Sequence, residues 1–267
     1  MSDASLESQI AAATAYNEFF VPALFQEWAP RVVSTARIRS GHRVLDVACG
    51  TGVLAREVVS RVGSAGSVTG LDPNSGMLTV ARRLTPEVEW RVGKAETMPF
   101  QDGSFDAVVS QFGLMFFSDR HQSLREMLRV LTPGGTIAVA VWDSLENTPA
   151  YATEVAVVEK IAGRQAADAL RAPFILGDHK ELATMFLGGG VADAAVTTHH
   201  GTGKFPNIRS MVEGDLRGWL PIMGVDLSEE TIRRILEEAE GALRHYVTRD
   251  GSVEFDSPAH IVSGSKL

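Results

Sequence analysis

Residues 43–56, RVLDVACGTGVLAR, constrain the fold of this chain more than any other stretch. Val44, Leu45, Val47 and Ala48 make a short apolar run suited to a buried strand. From Val53 the apolar residues Val53, Leu54, Val58 and Val59 switch to helical spacing. Between the two stand Gly50 and Gly52, which let the backbone turn sharply and leave no Cβ between the chain and a ligand. A helix starting at such a bend aims its free N–H groups and the positive end of its dipole at whatever fills it. Gly50 to Ala55 also satisfies the dinucleotide pattern GxGxxA, and Asp72 lies about 20 residues on, where that pattern wants a ribose-binding acid. Asp46, inside the strand, is not something a dinucleotide turn asks for. It suits a ligand carrying a cationic amino group.

The same rhythm then repeats. VTGLD (68–72) reads as a second strand, and Pro73 and Asn74 open a helix carrying Met77, Leu78 and Val80. VEWRV (88–92) and FDAVVSQF (105–112) are strands three and four, residues 119–130 a helix, and TPGG (132–135) a turn into a fifth strand, TIAVAVW. Strand and helix alternating through short connections mean a doubly wound α/β fold, a parallel sheet with helices on both faces. Right-handed crossovers put the ligand crevice outside the carboxyl ends of its strands. The glycine bend, Asp72, the 93–100 loop and Ser110 to Phe112 all fall at that rim.

Outside this core the pattern changes. Residues 1–40 read as an N-terminal helical flap broken by Pro22 and Pro30, in which Tyr16, Phe19 and Phe20 either face a ligand or pack. Residues 41–143 are the core and 144–192 a helical insert lying as a lid, with helices from Pro149 to Ala162 and from Asp178 to Leu187. In residues 193–267, the rest of the sheet and a substrate cap, 194–205 alternates like one strand, Ser228 to Val247 is one amphipathic helix, and SVEFDSPAHIV is the last strand. All 267 residues are expected to form a single domain.

With 33 acidic against 25 basic residues, a net charge of −8 and a pI near 5.4, the chain repels a phosphate backbone, which argues against nucleic acid. The one cysteine, Cys49, rules out an internal disulfide and a cysteine metal cluster. No segment has the apolar length of a membrane span, and the N-terminal ten residues lack a basic and an apolar leader region. The expectation is a cytoplasmic protein with a small-molecule partner and no metal. Ser265-Lys266-Leu267 offers a peroxisomal alternative, and a homodimer is left open.

VLDVACGTG at 44–52, GLDPNSGML at 70–78, GKAETMPFQDGSFD at 93–106 and LRVLTPGG at 128–135 together resemble the class I S-adenosylmethionine-dependent methyltransferases of the ubiquinone and menaquinone biosynthesis type. The resemblance implies a Rossmann-like seven-stranded sheet of order 3-2-1-4-5-7-6, last strand antiparallel, with S-adenosylmethionine as cofactor and S-adenosylhomocysteine as product. It implies that Gly50 and Gly52, with Ala48, admit the methionine part, and that Asp46 sets the charge environment of its ammonium. Asp72, followed by Pro73, then accepts both ribose hydroxyls, Met77 packs on adenine, Ala95 offers its N–H to the adenine edge, and Ser110 or Gln111 lies near the sulfonium; Tyr16, from the N-terminal flap, is a further candidate for contact with the cofactor. Where relatives carry an acid for the adenine amino group this chain has Lys94, which has donors only, so Glu96 or backbone carbonyls are left to accept.

Methyl transfer from a sulfonium needs mainly a nucleophile held in line in a dry pocket. Where the acceptor must lose a proton, His199, His200, His245 and His179 are the candidate bases, and at most one of the strand neighbours His199 and His200 can aim at the crevice. Phe112, Phe116 and Trp142 are the expected substrate wall, with Phe117, Phe174, Phe205 and Trp219 nearby. Two rivals stand beside this reading. One is a nicotinamide oxidoreductase, although no Tyr-x-x-x-Lys relay is present; the other is a protein of the same fold and cofactor that transfers no methyl.

Overall fold

A computed structural model describes residues 3–267. Its centre is a seven-stranded sheet of β1 (Arg43–Val47), β2 (Ser67–Asp72), β3 (Glu89–Val92), β4 (Phe105–Gln111), β5 (Leu131–Trp142), β6 (Ala195–His199) and β9 (Ala259–Ser265). The other two strands, β7 (Thr202–Phe205) and β8 (Val253–Asp256), form a separate antiparallel ribbon. The strand order is 3-2-1-4-5-9-6; β1 to β5 are parallel, and β9 runs antiparallel between β5 and β6. This is the expected order, with the ribbon strands renumbering the last one. Central strands buried on both faces read as continuous apolar runs, as in Val44-Leu45 and Ile137 to Val141, all fully buried.

The helices are α1 (Asp3–Phe20), α2 (Ala29–Thr35), α3 (Val53–Val62), α4 (Ser75–Leu84), α5 (Arg120–Val130), α6 (Pro149–Ala162), α7 (Arg164–Arg171), α8 (His179–Gly188), α9 (Ile208–Gly214), the short α10 (Leu220–Ile222) and α11 (Glu229–Ala242). Polar N-caps start several of them: Asn74 accepts from the Gly76 and Met77 N–H groups at 2.8 and 3.1 Å, Asp119 from Gln122 at 2.9 Å, and Asp178 from Lys180 and Glu181. Thr148 does not cap α6; its hydroxyl turns back to the Ser144 carbonyl at 3.4 Å. No helix among the described residues is long and apolar enough to cross a membrane.

Four expectations are corrected. Residues 194–205 are two strands, because the chain leaves the sheet at Gly201, where a Cβ would lie 2.3 Å from the Trp28 ring. Residues 252–265 likewise break at Ser257-Pro258, and the first half pairs with β7 instead of the sheet. The helix from Ser228 ends at Ala242, with a 3-10 turn at Arg244–Tyr246. Within the insert, α8 is no lid: it packs on α5 and β6 with Leu182 and Phe186 buried, while α6 joins α9 and α11 in a helical cap. The terminal Ser265-Lys266 is tied down, the Lys266 ammonium donating to the carbonyls of Arg129 (3.1 Å) and Leu131 (2.8 Å).

Trp90, on β3, locks the edge of the sheet to the glycine bend. Its ring lies against the bare Cα atoms of Gly70 and Gly52, where a Cβ would come within 2.4 and 2.5 Å, and its indole N–H donates to the Thr85 carbonyl at 3.0 Å. Gly70→Ala is expected to destabilise the fold by about 3 kcal/mol in urea unfolding, and Trp90→Leu in the same chain to return part of that loss. An unchanged midpoint in the single variant would show that the ring moves aside freely.

Candidate active site

The rim at the carboxyl ends of β1, β2 and β4 is built from unusual backbone. Ala48, Gly50, Gly52 and Phe112 have φ of +56°, +54°, +85° and +56°. For Ala48 and Phe112 this left-handed conformation is strained, and such strain concentrates where a site over-determines the chain. Gly50 faces open space, with nothing within 4 Å of a Cβ built there. Gly52 does not: its bare side is filled by Trp90, and its N–H donates to the Cys49 carbonyl at 2.8 Å. Its expected place beside the ligand is therefore corrected to a packing role, leaving Gly50 as the open glycine.

Asp72 is turned into the bend. One carboxylate oxygen accepts from the Gly50 N–H at 3.0 Å and the other from the Asn74 N–H at 2.8 Å, so the carboxylate braces the bend and retains further lone pairs. Burial lifts its pKa and these two N–H groups oppose the lift. Asp46 is 1% exposed, and neither carboxylate oxygen has a hydrogen-bond partner of good geometry among the described residues. Burial pushes its pKa well up; the nearby Ala55 N–H, and more weakly the Arg56 guanidinium, oppose this, while Asp72 adds to it. A buried carboxylate without a partner fits a ligand ammonium, which would restore its charged form. An open glycine, a strained bend and an orphaned carboxylate suit the amino acid end of S-adenosylmethionine.

Helix α1 lies across α4, with the Gln9 backbone 2.5 Å from where a Gly76 Cβ would stand. Tyr16 and Phe25 thereby close over the bend, leaving a cavity of about 30 Å³ lined by Asp46, Ala48, Cys49, Gly50, Thr51 and Gln111. Desolvation and, less, the Asp72 charge push the Tyr16 hydroxyl pKa up.

The remaining expected cofactor residues divide. Met77 is half-buried in the first turn of α4, Pro73 is exposed and Ala95 is buried in the loop after β3. Of the pair on β4, Gln111 lines the small cavity and donates to the Phe25 carbonyl at 3.0 Å, whereas Ser110 is fully buried below Gly113, away from the crevice. One oxygen of Glu96 accepts from the Ser118 N–H at 2.8 Å, tying the loop after β3 to the chain entering α5. The 93–102 loop is held from beneath by Arg129, whose guanidinium donates to the carbonyls of Met98 and Phe100 and to Asp102 and Glu126. Arg129 lies in the LRVLTPGG block, but its bracing role was not foreseen, since a basic residue in a last helical turn is ordinary.

Beside the small cavity, sharing Tyr16 and Phe25 as a wall, lies a cavity of about 620 Å³. Phe112 and Trp142 stack at its inner end with ring centroids 3.8 Å apart and planes 10° from parallel, and Phe116, Phe174 and Trp219 line it further out. Phe117 and Phe205 do not reach it; Phe205 is buried against Phe19 and Phe255. The histidine candidates are also corrected, since none of them lines either cavity. His199 bonds Thr197 at 3.0 Å, and its pKa is lowered by burial and by Arg31. His200 offers its carbonyl to Arg31, His179 approaches the Val196 carbonyl at 3.2 Å, and His245 is exposed against Tyr246. The titratable groups that do line the large cavity are Tyr16, Tyr151, Glu213, Asp215 and Arg217. Asp215 and the buried Glu154 behind it were not foreseen, because an acid in an amphipathic stretch reads as solvated surface.

A methyltransferase-domain family matches residues 44–135. A ubiquinone/menaquinone biosynthesis C-methyltransferase of Laribacter hongkongensis is 43% identical over 143 residues, 51% of this chain and 58% of that protein. The chain thus spans little more than half the length of the curated relatives it matches. Among solved structures, the YcgJ protein of Bacillus subtilis (TM-score 0.59, 20% identity, 90% of this chain and 98% of that one) shares the fold. So does a phosphoethanolamine N-methyltransferase of Haemonchus contortus in complex with S-adenosyl-L-methionine (TM-score 0.61, 16% identity, 97% of this chain and 57% of that one). The nicotinamide reading of Gly50 to Ala55 receives no support from the matched family. Sheet order, glycine bend and the matches at 44–135 agree: residues 44–135 are similar to a methyltransferase-domain family, within a fold that solved methyltransferases share.

Proposed function

We propose that this protein transfers the methyl group of S-adenosylmethionine to a small, largely apolar or aromatic acceptor held in the large cavity. The observation that carries this reading is the shared wall: Tyr16 and Phe25 border both the bend at Gly50 and the aromatic cavity of about 620 Å³. When bound, S-adenosylmethionine supplies a methyl group on a positively charged sulfur, a leaving group already activated. Asp46 and the Gly50 bend would hold its methionine end, Asp72 its ribose hydroxyls, Met77 and the Ala95 loop its adenine, and Gln111 would stand near the sulfur. Phe112, Trp142 and Phe25 would keep water out and press a flat or apolar acceptor into line, so that orientation is the main catalytic contribution.

The names of relatives support the chemistry and leave the acceptor to this chain. The Laribacter protein is a C-methyltransferase, and the Haemonchus structure holds S-adenosyl-L-methionine. Yet most of the cavity wall, including Ala12 to Phe25, Trp142 to Phe174 and Glu213 to Ile222, lies outside the matched 44–135 segment. Calorimetry with S-adenosylhomocysteine is expected to give saturable one-to-one binding at micromolar concentration, about 8 kcal/mol. Titration with NADH should give no heat. Absence of S-adenosylhomocysteine binding by well-folded protein would remove the reading.

A further inference from the structure

We propose that Asp215, with Glu154 and Tyr151 beside it, anchors a protonated amine carried by the acceptor. The inference rests on the large cavity being the acceptor site. Asp215 opens a π-helical stretch (Asp215–Trp219) after α9 and lines that cavity while only 5% exposed; its Oδ2 is buried without a hydrogen-bond partner among the described residues. Glu154, on α6, is 0% exposed and both its carboxyl oxygens are likewise unpartnered. Tyr151, one turn earlier on α6, reaches the cavity and packs on Phe174 and Phe255 at 5.4 and 5.5 Å.

Two carboxyls buried together cannot both ionise without a compensating cation, and each unmet oxygen is costly. Among the described residues none supplies such a cation to the pair. Arg217, the one guanidinium lining the cavity, points out to Glu229 (2.6 and 2.7 Å) and Glu213 (3.0 Å). Of the other titratable groups on the cavity wall, Tyr16 and Tyr151 carry no positive charge and Glu213 is held by Arg217. A ligand hydroxyl would satisfy one oxygen and leave the charge question unanswered; a ligand carboxylate would be repelled. An ammonium answers both, and Phe19 and Phe20, which abut Gly214, present aromatic faces that favour a cation. A protonated amine is not a nucleophile, so the nitrogen serves as a handle and the methyl goes to another atom of the same molecule.

The test uses the full chain with saturating S-adenosylhomocysteine and three probes of one shape: 4-phenylbutylamine, 4-phenylbutanol and 4-phenylbutyrate. Calorimetry at pH 7 in two buffers of different ionisation enthalpy is expected to show the amine binding at least about 10-fold more tightly than the alcohol, with the butyrate weakest. Amine binding should also release about one proton, as the carboxyl pair ionises. In Asp215→Asn the alcohol should bind as before while the amine preference falls to within about 2-fold and the proton release disappears. Glu154→Gln, which leaves Asp215 and its burial in place, should keep both the preference and the release. Equal affinity for amine and alcohol in the parent, a preference that survives Asp215→Asn, or no binding of any probe would each overturn the inference. Failure of S-adenosylhomocysteine itself to bind would instead strike the methyltransferase reading.

Discussion

Asp72→Ala is expected to weaken S-adenosylhomocysteine binding by about 100-fold or more, with the fold intact. The parent carboxylate does two things at once. It ties the Gly50 N–H at 3.0 Å and the Asn74 N–H at 2.8 Å, fixing the bend against the start of α4, and it retains lone pairs that, in the proposed reading, accept the ligand ribose hydroxyls. Charge-assisted hydrogen bonds of this kind contribute about 1.5–3 kcal/mol each, so losing the bend and the ribose contact together exceeds about 3 kcal/mol. Asp72→Asn should fall between the two proteins: one amide oxygen can still accept, but the NH₂ must face a backbone N–H donor. The melting temperature should move only a few degrees, because removing a buried charge offsets part of the lost bonding. Calorimetry on the three proteins checks it, and parent-like affinity in Asp72→Ala would mean that the ligand takes nothing from this acid.

The α/β layering was legible because each signal is local. Short apolar runs such as Val44 to Val47, polar caps such as Asn74 and Asp119, and glycines at the turns each specify their own element whatever else is present. The later part was harder for a physical reason. Alternation at 194–205 marks a strand but not which sheet it joins, and the departure at Gly201 is decided by Trp28, far away in sequence. The same holds for α8, whose amphipathic pattern says that one face is buried but not that it is buried on α5 and β6.

At the candidate site, the positions of residues at strand ends were readable: Gly50, Asp46 and Asp72 come together at the bend. Gly52 was misread because a bare Cα serves a ligand and a packed indole equally well, and only the position of Trp90 tells them apart. The histidines were misread because residue type suggested chemistry that geometry does not support. The closing of α1 over the crevice, and the carboxyls behind the aromatic wall, come from tertiary packing that no spacing encodes.

Those carboxyls lead to the second large effect: Asp215→Asn should make the protein more stable, and increasingly so as pH rises. Burial pushes the Asp215 carboxyl up to about 8, from an ordinary value of 3.8. The folded chain therefore holds a proton that the unfolded chain releases near 3.8, and raising the pH between these values favours unfolding. The parent's stability from this group is full at acid pH, declines through the window and is lost above about 8. Asparagine does not titrate and escapes the decline. By pH 8 the variant should lead by on the order of 3 kcal/mol, since each pH unit corresponds to about 1.4 kcal/mol and Glu154, itself raised by burial and by Asp215, shares the proton. Urea unfolding at pH 5, 6, 7 and 8 reads this directly, and a difference that stays flat with pH would show that Asp215 is already charged and compensated in the fold. A group that weakens its own protein at neutral pH, at the wall of a cavity, belongs with sites where stability yields to binding.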